Sequence, residues 1–94
     1  MAVVVVNEMP QGNQDVYEQV SSKVLQNNQL PEGCKVHIAG PSGSGWRVIT
    51  VWESDDKFQQ FRENTLIPAL REAGGDQFVA PNIETQEVYR LLAA

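Results

Sequence analysis

The sequence predicts an α+β sandwich, one four-stranded antiparallel sheet with two helices packed on a single face. Three observations carry that expectation. The elements fall in the order β-α-β-β-α-β, and each candidate helix begins at a side chain able to cap it. The first and third strands, with "VVVV" and "VITV", are also the most continuously apolar, as suits the central pair of such a sheet.

Residues 2–9, "AVVVVNEM", are rich in β-branched side chains that fit a pleated surface, and Pro10 and Gly12 stop them, giving strand one. From Asn13, an N-cap residue, "NQDVYEQVSSKVLQN" sets Val16, Tyr17, Val20, Val24 and Leu25 at helical spacing, and "LPEG" closes the helix. "CKVHIAG" (34–40) alternates as a strand does. "GPSGSG" turns the chain, and "WRVITVWE" (46–53) is strand three, paired to strand two as an antiparallel hairpin with a longer loop.

Ser54 caps the second helix, with Asp55 and Asp56 in the first turn, where the helix dipole favours carboxylates. Phe58, Phe61, Leu66 and Leu70 fall on one face together with the smaller Thr65, Ala69 and Ala73. Pro68 interrupts that pattern, and its missing N–H and ring clash predict a kink or break near Ile67. Gly74 and Gly75 end the helix, "DQFVAPN" (76–82) is a loop, and "IETQEVYRLL" (83–92) is strand four. One domain over 1–94, of the ferredoxin-like βαββαβ kind, follows.

Composition narrows the function classes. Formal charge is −5, with seven Lys and Arg scattered among twelve carboxylates, so there is no basic face to track a phosphate backbone, and nucleic-acid binding is not expected. A single cysteine, Cys34, excludes an internal disulfide, and no basic, apolar leader precedes strand one, so a cytoplasmic location is expected. The longest apolar run, "AVVVV", is far short of the roughly 20 residues of a membrane span.

Strand alternation adds an expectation about assembly. Two helices cover one face of the sheet, while the apolar strands point side chains to both. A second copy packing sheet to sheet would cover the other face, making a homodimer. The alternative is cover from helix ends or from the 76–82 loop.

The element order, this sheet-to-sheet argument and the string "ITVWESDDKFQQF" together resemble the dimeric α+β barrel superfamily, especially its antibiotic-biosynthesis-monooxygenase-like branch. The resemblance spans the chain by topology and residues 47–61 by sequence. It implies a homodimeric barrel with a pocket between sheet and helices. The activities it implies range over cofactor-independent quinone-forming monooxygenases, haem-degrading monooxygenases, polyketide cyclases, small lyases and proteins without known activity. The haem-degrading members use a strand-one asparagine, a tryptophan at the strand-to-helix turn and a histidine on the following helix. Asn7 and Trp52 match the first two, but the third place falls near Arg71, and that helix has no histidine. Arginine cannot replace a neutral imidazole on iron, so haem is not expected.

Each candidate residue has a plainer reading beside the functional one. Trp52 either lines a pocket or plugs the strand-to-helix corner as a core residue. Asn7 either puts an amide into the cavity or sits at the strand end bonded to loops. His37 is the one group expected to titrate near neutrality, and facing the cavity it would be the best general base in the chain. Strict alternation would put it on a face with Lys35 and Ala39, open to solvent or to a dimer interface.

Tyr17 and Tyr89 offer hydroxyls to orient a substrate, and Arg47, Arg71 and Arg90 could stabilise an oxyanion. Trp46, Val48, Thr50 and Trp52 share one face of strand three, and walls of that kind suit a flat hydrophobic ligand. "GPSGSGWR" has glycines at phosphate-loop spacing, yet Trp46 stands where the lysine is needed and a strand follows, so it reads as a hairpin turn. His37 and Cys34 do not make a metal ligand set. Cys34 itself reads as a packed or edge thiol.

The sequence thus predicts a homodimer that binds or transforms a small aromatic or polyketide-like compound without cofactor or metal. His37, Asn7 and Trp52 are the catalytic candidates, and Trp46, Thr50 and Tyr17 the substrate-binding ones. The reaction expected is monooxygenase-like. The alternatives are a cyclase or isomerase, and a non-enzymatic ligand-binding or interaction dimer.

Overall fold

The structure is a computed structural model that describes residues 1–75 and 80–93. The elements are β1 (Val3–Met9), α1 (Gln14–Val24), β2 (Cys34–Ser42), β3 (Gly45–Trp52), α2 (Asp55–Phe61), α3 (Ile67–Gly74) and β4 (Asn82–Glu87). They form one antiparallel sheet in the order β2-β3-β1-β4, so the two most apolar strands are indeed central. Val3 and Val5 are buried towards the helices while Val4 and Val6 are only partly covered, as alternation requires when helices pack on one face. Two apolar clusters hold the layers together. Val3, Val5, Trp52 and Phe58 form one, and Val20, Ala69 and Leu70 the other. Phe58 is 2% exposed, and burying a side chain of that size stabilises by roughly 1.5–3 kcal/mol.

Both expected caps form. Asn13 Oδ1 accepts from the Val16 N–H at 2.9 Å, and Ser54 Oγ accepts from the Lys57 N–H at 3.2 Å. Helix α1 stops at Val24, and the last residues of its expected span make a short 3-10 turn over Gln26–Asn28. The expected break near Ile67 is a π turn over Arg62–Leu66, in which the Ile67 N–H donates to Arg62 O, five residues back. Pro68 has no N–H to give to residue 64, and the widened turn makes room for its ring.

In the sheet, two boundaries and one stretch of register differ from the sequence expectation. The β2–β3 loop is shorter than expected, because Ser42 pairs with Gly45 and only Gly43 and Ser44 remain outside the ladder. Gly43 has φ +58° while Ser44 does not adopt positive φ, the pattern of a II′ turn, whose twist matches that of the strands. Pro41 is tolerated inside β2 because that strand is at the sheet edge. Strand β4 ends at Glu87 rather than residue 92, where its ladder with β1 ends: Val3 pairs with Glu87, and past them Val88 donates to Ala2 O at 2.9 Å. Residues 76–79 of the expected loop lie outside the described residues.

The third difference lies in β2. Cys34 pairs with Trp52 and Val36 with Val51, which leaves Lys35 as an extra, unpaired residue in a bulge. His37 therefore shares its face with Cys34 and Ala39 and not with Lys35. That face looks towards the helices, and Ile38, on the opposite one, is 56% exposed.

Candidate functional site

A cavity lies between the sheet and the helices. Its floor is the helix-facing row of the sheet, with Val5 and Asn7 from β1 and Val48, Thr50 and Trp52 from β3. The register makes that row, pairing Asn7 with Val48 and Val5 with Thr50. His37 extends it on β2 as the partner of Thr50. Helix α1 roofs the cavity with Val16, Tyr17, Val20, Ser21 and Val24, which lie three and four residues apart on one side. Phe58, Phe61, Leu66 and Leu70 close it from the second helical rod. The volume is about 60 Å³, enough for a few waters and below the ~300 Å³ usual for ligand pockets.

Most of the wall is apolar, so its polar groups stand out. Tyr17 Oη and His37 Nε2 are 2.7 Å apart, joining α1 to β2 across the cavity. Burial holds the half-buried imidazole below its usual pKa. Burial, and then the neighbouring Glu18 carboxylate, push the Tyr17 phenol up, while the Ser21 hydroxyl draws it partly back. Both members of the pair are thus kept neutral, and one proton lies between them. A neutral imidazole within hydrogen-bond reach of the cavity is what a general base requires.

Asn7 is 7% exposed, and its Oδ1 has no hydrogen-bond donor among the described residues. A buried acceptor without a partner costs about 1–3 kcal/mol, and this one belongs to a side chain that lines the cavity. Among the described residues its Oδ1 does not accept the loop hydrogen bond of its plainer reading. For Trp52 both readings hold together. The side chain is 1% exposed and packs on Phe58 and Phe61 at ring separations of 5.7 and 4.9 Å, yet its edge also lines the cavity. Its indole N–H donates to Thr50 Oγ1 at 2.8 Å, so neither group is left free.

Five of the six candidates, Asn7, Tyr17, His37, Thr50 and Trp52, therefore meet at one cavity. Trp46 is not among the residues lining it. It packs on Tyr17 at a ring separation of 5.4 Å, with its own N–H buried and without an acceptor among the described residues. Cys34 does line the cavity, which strict alternation hid, because only the Lys35 bulge turns it inwards. Burial pushes its thiol up, away from the reactive thiolate, and the S–H donates to Val36 O at 3.5 Å.

The other polar candidates are elsewhere. Arg47 pairs with Glu8 on the far face of the sheet. Arg90 lies over the ring of Tyr89 at 5.8 Å, past the end of β4, and Tyr89 is 89% exposed. Arg71 is exposed on α3. Among the described residues, no three His, Cys, Asp or Glu side chains come together to hold a metal ion. Among them, too, no helix is long and apolar enough to cross a membrane.

Solved structures share this architecture. A protein from Chloroflexus aurantiacus J-10-fl, provisionally named an antibiotic biosynthesis monooxygenase, superposes with a TM-score of 0.66 at 9% identity, over 99% of this chain and 98% of that one. A protein from Deinococcus radiodurans with the same provisional name gives 0.64 at 13% identity, over 100% and 98%. A mutant of SnoaB, a cofactor-independent oxygenase from Streptomyces nogalater, gives 0.60 at 12% identity, over 99% and 97%. No protein-family model matches the sequence, and no curated protein does. The chain thus shares the ferredoxin-like fold of these solved structures.

Proposed function

We propose that the protein binds a small, flat, largely apolar molecule in this cavity and oxygenates it without a cofactor. The observation that carries the reading is the Asn7 carbonyl oxygen, without a donor among the described residues and buried in an apolar wall that also holds the neutral Tyr17–His37 pair. A hydroxyl of the ligand would satisfy Asn7. His37 would take a proton from an acidic phenol or an activated CH2, leaving an electron-rich anion packed against Trp52. That anion itself reduces O2. The CH2 carbon gains one oxygen atom as a ketone, and the second oxygen leaves as water with both hydrogens, so no external reductant is needed. The fold shared with a cofactor-independent oxygenase supports this choice of chemistry.

A second reading, a binding protein without turnover, is favoured by the small volume of the cavity. Both readings include a homodimer. On the far face, Val4, Val6, Val36, Ile38, Ile49 and Val51 form adjoining apolar rows over three strands, which a second copy would cover sheet to sheet.

Titrating the protein with anthrone under air, following tryptophan emission and anthraquinone absorbance, tests the function. Quenching with quinone formation above the buffer rate, lost in Asn7→Ala and His37→Ala, is the expected result. Quenching alone leaves the binder. If neither occurs with any hydroxylated aromatic, the cavity is not a ligand site.

A further inference from the structure

At about 60 Å³ the cavity as it stands is smaller than an aromatic ring, so a ligand must shift its walls, and a ligand of several rings must open one of them. The cavity has three walls that differ in how firmly they are held. At the Trp52 end the wall is the close-packed cluster of Trp52, Phe58 and Val5. On the α1 side the wall is Tyr17, Ser21 and Leu25, and beyond it lies a surface depression lined also by Glu18, Ser22, Asn27 and Asn28. That wall is tied to the sheet by Tyr17, whose Oη is 2.7 Å from His37 Nε2, and it leads to polar ground.

The remaining direction is different on both counts. Met9, Val16 and Leu70 line the cavity and also an external groove of about 340 Å³. The groove is bounded by Pro10, Gly12, Ala73 and Pro81, mostly apolar surface. Val16 and Leu70 are held on helices. Met9 is the last residue of β1, and an unbranched thioether with three rotatable bonds is the side chain that adapts most readily. Gly12 leaves it space, since a Cβ there would stand 2.9 Å from the Met9 Cβ.

We propose that Met9 is the movable partition between cavity and groove, and that it sets the size of molecule the site accepts. A one-ring ligand stays behind Met9. A longer one displaces the thioether and extends into the groove between the β1–α1 turn and the end of α3. The inference rests on the ligand-binding reading above.

Calorimetric titration with phenol, 2-naphthol and 2-hydroxyanthracene tests it on the wild-type chain and on Met9→Ala, Met9→Trp and Leu25→Ala, each checked by circular dichroism. Met9→Ala should tighten the two- and three-ring compounds by about tenfold, the scale of a changed apolar pocket wall, with phenol little altered. Met9→Trp should abolish binding of the three-ring compound and keep phenol. Leu25→Ala should leave the size order as it is. The inference is overturned if the Met9 variants shift all three compounds alike, or if Leu25→Ala gives the size-dependent gain. If no compound binds any form, the ligand-binding reading itself fails.

Discussion

At the scale of single residues, Asn7 and His37 set stability against the proposed ligand binding. Asn7 is an amide in a row of buried valines, and its Oδ1 carries a desolvation cost that no donor among the described residues repays. Asn7→Leu should therefore raise the stability of the free protein by about 1 kcal/mol in urea unfolding, while abolishing ligand binding. A loss of stability would mean that the amide is held by the fold itself. His37 is the chain's one histidine, so its titration can be isolated. Its folded pKa is lowered by burial, and the unfolded value is about 6.5. Above that value both states are neutral and the contribution is constant. As pH falls below it the unfolded chain takes up the proton first, so stability declines until the folded imidazole also titrates. Urea midpoints from pH 7.5 to 5 should show this decline, and His37→Gln should remove that part of it.

At the scale of elements, sequence legibility followed local chemistry. Asn13 and Ser54 cap their helices through hydrogen bonds within three residues, and the break caused by Pro68 depends on one missing donor, so both could be read from neighbours in sequence. What could not be read depends on partners far along the chain. The end of β4 is fixed by where β1 begins, and the direction of Cys34 by which residue of β2 is skipped in the ladder with β3. Alternation alone assigns Lys35 to the face of His37, and the bulge reverses that assignment. The candidate site was legible to the same extent. The period-two rule grouped Thr50 and Trp52 correctly but could not show that Trp46, on the same face, lies beyond the cavity. Deleting Lys35 should restore a regular ladder with Cys34 and His37 still facing inwards. The deletion variant should fold, keep its near-ultraviolet dichroism and lose less than about 1.5 kcal/mol. Unfolding of this variant would show that the bulge's twist is needed to seat His37 against Tyr17.

At the scale of the whole molecule, the sheet has one face committed to helices and the other open. Ile38 at 56% exposure heads an apolar surface that includes Val6 and Ile49 in the same row. Light scattering should give twice the 10.4 kDa of one chain. Ile38→Lys or Ile49→Lys should shift that mass towards the monomer, because an ammonium buried between two sheets has no counter-charge. A wild-type mass of one chain would leave the face without a partner and remove the homodimer from the proposed function.

Every helix and three of the four strands contribute wall to the cavity, but among the described residues β4 contributes none. β4 still backs that wall, since Ile83 packs on the cluster of Val3, Val5, Trp52 and Phe58, but its exposed side chains can change over generations without altering the lining itself. Lineages could extend the end of the strand, trim it or attach another module there and still inherit the same interior. The tail after Glu87 is thus a place where descendants of one ancestor would be expected to diverge first.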